Sequence, residues 1–310
     1  MKRTRVQRTI PRQSVSGFTL LELMISMTIG LFLVGSVLAA VLAAASTGRA
    51  RDRAVDIQMN GRYAIDLMKR DLQHAGFLGG TSLFYPDAPA PIAVANVCDV
   101  NTFGRISQRV WGADDANPYA GTCIPADRYA RGDVLLIRRL SANQSVSPFA
   151  GNLIYYRSAY EGGEYFQGPA APDFSGTNRQ PPYNDHMLEE TVYYISPYTT
   201  SANESPRIPA LFRMRLGAGP AMVPELVAAG VENLQVRFGR FDATGTQYLD
   251  ASSVTDWDSI SSIQVSLLMR GTAPEPGYTN TTTYDLGNQQ IQVNDGYRRL
   301  LYGTVVQLRN

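Results

Sequence analysis

Residues 14–40 read SVSGFTLLELMISMTIGLFLVGSVLAA, and Glu22 is the single charge among them. The uncharged run from Leu23 continues to Gly48, 26 residues in all, which as a helix is about 39 Å long at roughly 1.5 Å per residue. A bilayer's hydrocarbon core is about 30 Å thick, so the run can cross it. Ahead of Gly17 stand Lys2, Arg3, Arg5, Arg8 and Arg12, with no acidic residue among them. Basic residues stay on the cytoplasmic side of a spanning helix. The expected topology is therefore single-pass, with the amino terminus inside and everything after about Gly48 outside the cytoplasm. The run is too long for an ordinary secretory signal, although VLAAVLAAA (37–45) holds small residues of the kind a signal peptidase accepts.

An ionised carboxylate at membrane depth is unfavourable unless it has a partner or a proton. Taken alone, Glu22 reads as a side chain at the water interface of an anchor helix. Its surroundings change that reading. Gly17-Phe18-Thr19-Leu20-Leu21-Glu22, after a basic leader and before an apolar helix, resembles the class III signal of type IV pilins and pseudopilins. The resemblance implies that a prepilin peptidase cuts between Gly17 and Phe18 on the cytoplasmic face and methylates the new amino terminus. Glu22 then becomes the fifth residue of the mature chain. The Phe18 amine of a neighbouring subunit can neutralise Glu22 when helices pack side by side, an attraction strengthened by low dielectric. An axially displaced helix leaves both charges unpaired, so the pair sets the register of assembly. Gly30 and Gly35 leave room for close helix contact, although glycines are more often simply tolerated in membrane helices.

Beyond the apolar run the pattern becomes amphipathic without a break. Ala54, Ile57, Gly61, Ala64, Ile65, Met68, Leu72 and Ala75 recur at spacings of three and four, with charged residues, Asp71 among them, between them. One helix from Phe18 to about Ala75 is expected, stopped by Gly76, Gly79 and Gly80 in HAGFLGG. After Gly80, short apolar segments alternate with turns. The expected strands are 134–140, 153–156, 191–195, 211–216, 231–238, 263–269 and 300–308, forming an antiparallel sheet that covers the helix stripe. Segments 158–185 and 270–290 read as long surface loops. The fold expected is α+β and pilin-like: a leader (1–17), a long helix (18–78, with 18–45 transmembrane) and a β-rich globular domain (79–310).

With 310 residues and 44% hydrophobic content there is ample material for a buried core. The net charge is +1, but removing the five leader cations leaves 23 basic residues against 27 acidic ones. A mildly acidic body argues against a nucleic-acid partner, which needs a basic stripe. Cys98 and Cys123 are the only cysteines, and in an exported domain an isolated pair most simply forms a disulfide.

The later segments narrow the resemblance. RYAIDLMKRDLQHAGFLGG (62–80), VAAGVENLQVRFG (227–239), SISSIQVSLLMRG (259–271) and YRRLLYGTVVQLRN (297–310) together look like the PilW minor pilins, which are similar to the J pseudopilins of type II secretion. The resemblance implies an inner-membrane subunit that joins other minor pilins, the major pilin and the assembly machinery in a priming or tip complex. A J-like pseudopilin is the alternative within this class.

An anchored periplasmic enzyme is the alternative from another class, and the residues offer it little. His74, at the helix end, suits the helix dipole, and His186 falls in a polar segment expected to be solvated. There is no phosphate-loop, GxSxG or HExxH pattern. The pairs Asp114/Asp115, Glu189/Glu190 and Asp256/Asp258 match no calcium-loop spacing and read as solvated surface. No catalytic residue, metal or cofactor is expected.

Overall fold

The computed structural model describes residues 17–81, 92–98, 108–243 and 245–308. The expected leader, apart from Gly17, lies outside them, as do Arg309 and Asn310. Helix α1 (Leu20–Gln73) runs through the apolar and amphipathic stretches. Seven strands form one sheet: β1 (Val110–Ala113), β2 (Val134–Ser145), β3 (Ile154–Ala159), β4 (Gly162–Gln167), β5 (Asn184–Ser196), β6 (Ala210–Gly217) and β7 (Ala221–Ala229). A second sheet holds β8 (Val231–Asp242), β9 (Gly245–Leu249), β10 (Ile260–Arg270) and, after the small hairpin β11 (Thr283–Asp285) and β12 (Gln290–Gln292), the edge strand β13 (Arg299–Gln307). Every pairing between these strands is antiparallel.

The chain divides into two units between Asp52 and Arg53. The first contains the apolar part of α1, Leu20–Ala45, with a mean hydropathy of 2.3 and no buried window. In the second, the stripe read from the sequence is the buried side of the helix. Ile57, Ala64, Met68, Leu72 and Ala75 share one core with Leu135, Ile137, Tyr193 and Leu211 of the first sheet and Val236, Ile263, Val265 and Val306 of the second. Each large apolar side chain removed from water here contributes about 1.5–3 kcal/mol. Gly61 is where the Tyr302 ring meets the helix: a Cβ there would lie 2.3 Å from a ring carbon. The helix stops where Gly76 takes the left-handed conformation, φ +78°, that glycine adopts without steric strain.

β5 organises the larger sheet. One of its edges pairs with β2, while the other is shared, Asn184–Met187 with β3 and Thr191–Ser196 with β6. In its second half the odd-numbered residues face the helix side, Tyr193 and Ile195 within the helix core. Its even-numbered ones, Leu188, Val192 and Tyr194, enter a second core with Leu136, Tyr156, Tyr165, Phe212 and the two cysteines. A sheet buried on both faces carries near-continuous apolar runs instead of alternation.

All seven expected strands are present, most of them longer than expected. Segment 158–185 is not one long loop, because it holds β4, whose Gly162–Gln167 pairs with β3, and the start of β5. Segment 270–290 contains β11 and the first residue of β12. β1, β7 and β9 were also missed. Asp71, expected on the solvated side, is only 6% exposed: its carboxylate accepts the Tyr193 hydroxyl at 2.5 Å and lies 3.3 Å from Arg139 and 3.6 Å from Arg213.

Candidate assembly site

Thr19 immediately precedes α1, and its hydroxyl and Glu22 lock the first turn together. The Glu22 Oε2 accepts the Thr19 backbone N–H at 3.0 Å and the Thr19 hydroxyl at 3.1 Å, and the Glu22 N–H donates to Thr19 Oγ1 at 3.3 Å. This reciprocal pair is a capping box, which satisfies donors that the first helical turn leaves unpaired. The Thr-x-x-Glu spacing carries that signal in the sequence, but the reading above passed over it in favour of a charge partner in another subunit. The cap uses only part of the carboxylate's acceptor capacity, so it does not exclude a further partner.

Beside it, Gly17 and Phe18 are exposed, with open space where a Gly17 side chain would stand. From Phe18 to Leu42 the large apolar side chains are exposed as well, Leu31 at 74% and Phe32 at 79%. An apolar surface of this extent needs lipid or other helices to cover it.

Cys98 and Cys123 are joined in a disulfide, buried in the second core, where they tie the segment before β2 across the outer face of the larger sheet. His74 is exposed at the end of α1, its Nδ1 2.8 Å from the Arg70 carbonyl. His186 is not solvated: it is 7% exposed on β5, its Nδ1 lies 2.9 Å from the Ser141 carbonyl and Phe77 packs edge-on at 5.5 Å. β5 begins earlier than the polar composition suggested, which carries the ring inside.

Two of the three carboxylate pairs also depart from the solvated-surface expectation. Glu190 is buried against Arg138, with Nε 2.8 Å from Oε2, and Glu189 lies 2.6 Å from Arg139. Asp114 accepts the backbone N–H groups of Ala251 and Ser252, each at 2.7 Å. Asp256 and Asp258 are exposed. Among the described residues no three His, Cys, Asp or Glu side chains converge as metal ligands. The sequence reading did not single out Asp133. It is 1% exposed, accepts the N–H of Val236 at 2.7 Å and of Asp115 at 3.0 Å, and thereby ties β2 to β8. Burial, the first cause, together with the nearby Asp114 and Asp115, pushes its carboxyl up to about 7 against those two hydrogen bonds.

Comparison with known proteins places signatures at both ends of this architecture. Residues 12–38 match the prokaryotic N-terminal methylation motif. Residues 192–310, from the end of β5 through the whole second sheet, match the type IV pilus-assembly protein W family. No curated protein matches the chain. Among solved structures it is similar to a type IV-like pilin from Thermus thermophilus at 14% identity, over 82% of this chain and 94% of that one, with a TM-score of 0.33. That likeness is too weak to bear on function. With a methylation motif on an exposed apolar helix and a W-type signature over its C-terminal sheets, the chain is similar at one end to type IV pilin precursors and at the other to the type IV pilus-assembly protein W family.

Proposed function

We propose that the chain is a non-enzymatic minor subunit of a type IV pilus that enters a priming or tip complex with other minor pilins and the major pilin. The observation that carries this reading is the amino-terminal segment: Gly17, Phe18 and a capped Glu22 at the head of an apolar helix whose large side chains are left exposed by the described residues. Prepilin peptidase cuts between Gly17 and Phe18 and methylates the Phe18 amine. The apolar part of α1 anchors the subunit in the inner membrane, amino terminus cytoplasmic and β domain periplasmic, until the assembly machinery draws it out. Helix packing against neighbours then covers the apolar side chains, and the Phe18 amine of one subunit meets Glu22 of the next.

The deciding experiment is mass spectrometry of the amino-terminal peptide from protein made in its native membrane. A chain that starts at N-methylated Phe18 is the expected result. One that keeps residues 1–17, or begins near Ala45, removes the amine that Glu22 is meant to neutralise and overturns the reading.

A further inference from the structure

The helix-facing side of the larger sheet changes character along its strands. Near the middle it is apolar, with Leu135, Ile137 and Tyr193 under the helix. Two residues further on, the same alternation brings Arg139 of β2, Glu189 and Thr191 of β5, and Arg213 and Arg215 of β6 to that side, paired in register as Arg139 with Glu189 and Thr191 with Arg215. This is also where α1 ends, so its last turns supply Arg70 and Asp71 instead of another apolar layer. The result is an open groove of about 340 Å³ between the end of the helix and three neighbouring strands.

The charges in the groove do not cancel. Arg139 is 2.6 Å from Glu189 and 3.3 Å from the buried Asp71. Arg213 is 2.9 Å from Glu225 and 3.6 Å from Asp71. Three carboxylates therefore engage two guanidinium groups, while Arg70 and Arg215, both exposed, pair with no carboxylate among the described residues. Even with Glu225, which engages Arg213 from outside the lining, four arginines meet only three acids and one cation is left uncompensated. A planar guanidinium fork matches a carboxylate through two parallel hydrogen bonds, and the groove already holds its own carboxylates with arginine side chains. Asp71 and Glu189 in the walls repel a multiply charged ion such as phosphate, so the surplus suits a singly charged one. Leu67 and Ala142 also line the groove and give an aliphatic stem something to pack on.

We propose that this groove receives a carboxylate side chain, a glutamate in an acidic peptide segment of another polypeptide, held between Arg70 and Arg215. The groove is distinct from the amino-terminal segment, and its occupancy can be tested whether or not the chain enters a pilus.

The test is fluorescence anisotropy on the detergent-solubilised full chain with a labelled Gly-Glu-Glu-Gly peptide at low salt. The double variant R70S/R215S is expected to weaken binding at least tenfold, the scale of losing charge-assisted hydrogen bonds, with an unchanged thermal midpoint because both side chains are exposed. R70K/R215K keeps the charge but not the fork and is expected to fall between. Equal binding by R70S/R215S, equal binding of a Gly-Gln-Gln-Gly peptide, or no binding at millimolar peptide overturns the proposal. Inorganic phosphate displacing the peptide at equal concentration overturns the carboxylate assignment. Free glutarate binding as tightly as the peptide overturns the polypeptide source.

Discussion

Arg138 of β2 and Glu190 of β5 are register partners buried in the middle of the larger sheet, 2.8 Å apart, with side-chain exposures of 1% and 2%. Their neighbours Arg139 and Glu189 pair on the opposite face of the same two strands. Two adjacent arginines therefore meet two adjacent glutamates, one pair on each side of the sheet. A slip of one residue toward Ile137 sets Glu190 opposite an apolar partner, and a slip in either direction turns every side chain of the strand to the wrong face.

Removing one member of a buried ion pair strands the other, which costs about 3–5 kcal/mol. Glu190→Gln is expected to destabilise the β domain on that scale. The double variant R138M/E190L, which replaces the pair by apolar groups of similar volume, is expected to recover most of the loss. Urea unfolding followed by tryptophan fluorescence reads this domain alone, since Trp111 and Trp257, the two tryptophans of the chain, both lie in it. A double variant as unstable as Glu190→Gln would show that packing, not the stranded charge, dominates.

The helix and the sheet class were legible because periodicity survives burial on one side: Ile57, Ala64, Met68, Leu72 and Ala75 repeat at helical spacing, and all of them are buried. The buried polar groups were not legible because a core covered on both sides takes in polar side chains wherever it can pair them, so Asp71 of the helix and His186 and Glu190 of the sheet are polar by composition and buried by position. β4 begins Gly162-Gly163 and β7 contains Pro224, turn signals that hid short strands added at a sheet's margin. The amino-terminal segment was legible from its order of residues, yet its local chemistry, the Thr19 cap, was not drawn from that pattern. The groove at the end of α1 was invisible because its arginines come from three elements, α1, β2 and β6, whose meeting depends on register.

Loss of the disulfide is expected to matter more to the outer core than to the helix. Cys98 and Cys123 are 25 residues apart, and closing a loop of that length stabilises the fold by about 3.5 kcal/mol in the chain-entropy model. C98S/C123S is expected to lose roughly that amount and to expose the face formed by Tyr156, Val192 and Tyr194. Binding of an apolar dye by the variant, with the helical circular dichroism retained, is the measurement. An unchanged unfolding midpoint would mean that the second core holds the segment without the bond.

Asp133 makes stability depend on pH in an unusual direction. Its folded-state carboxyl titrates near 7 because of burial, while an unfolded aspartate titrates near 3.8. Between those values the folded state holds a proton that the unfolded state has released, so the Asp133 contribution is fully present below about pH 4 and is lost as pH rises through about 7. The slope reaches about 1.4 kcal/mol per pH unit where the two states differ by one proton. Asp133→Asn removes the titration at the expense of one of the two accepted backbone N–H bonds. The difference in unfolding free energy between the natural chain and Asp133→Asn is expected to fall from pH 4 to pH 7 and then level off. A difference that stays flat across this range would show that Asp133 is already ionised in the fold.

Glu22 caps α1 and, in the function proposed above, also pairs with the Phe18 amine of a neighbour; a single alanine substitution cannot separate the two, because Glu22→Ala removes both the charge and the cap. Glutamine also serves as the third residue of a capping box, so Glu22→Gln keeps the bond to the Thr19 N–H while losing the charge. If a charge pair with the Phe18 amine sets the helix register, Glu22→Gln and Glu22→Ala fail alike to enter the assembled complex, although both insert in the membrane and are processed. If the cap is what matters, Glu22→Gln assembles normally and Thr19→Ala fails with Glu22→Ala. Co-purification of each variant with the other pilus subunits, scored beside amino-terminal processing, distinguishes the two. The pairing argument predicts the first pattern, since an unpaired amine and carboxylate among apolar helices are far more unfavourable than a lost cap of about 1 kcal/mol.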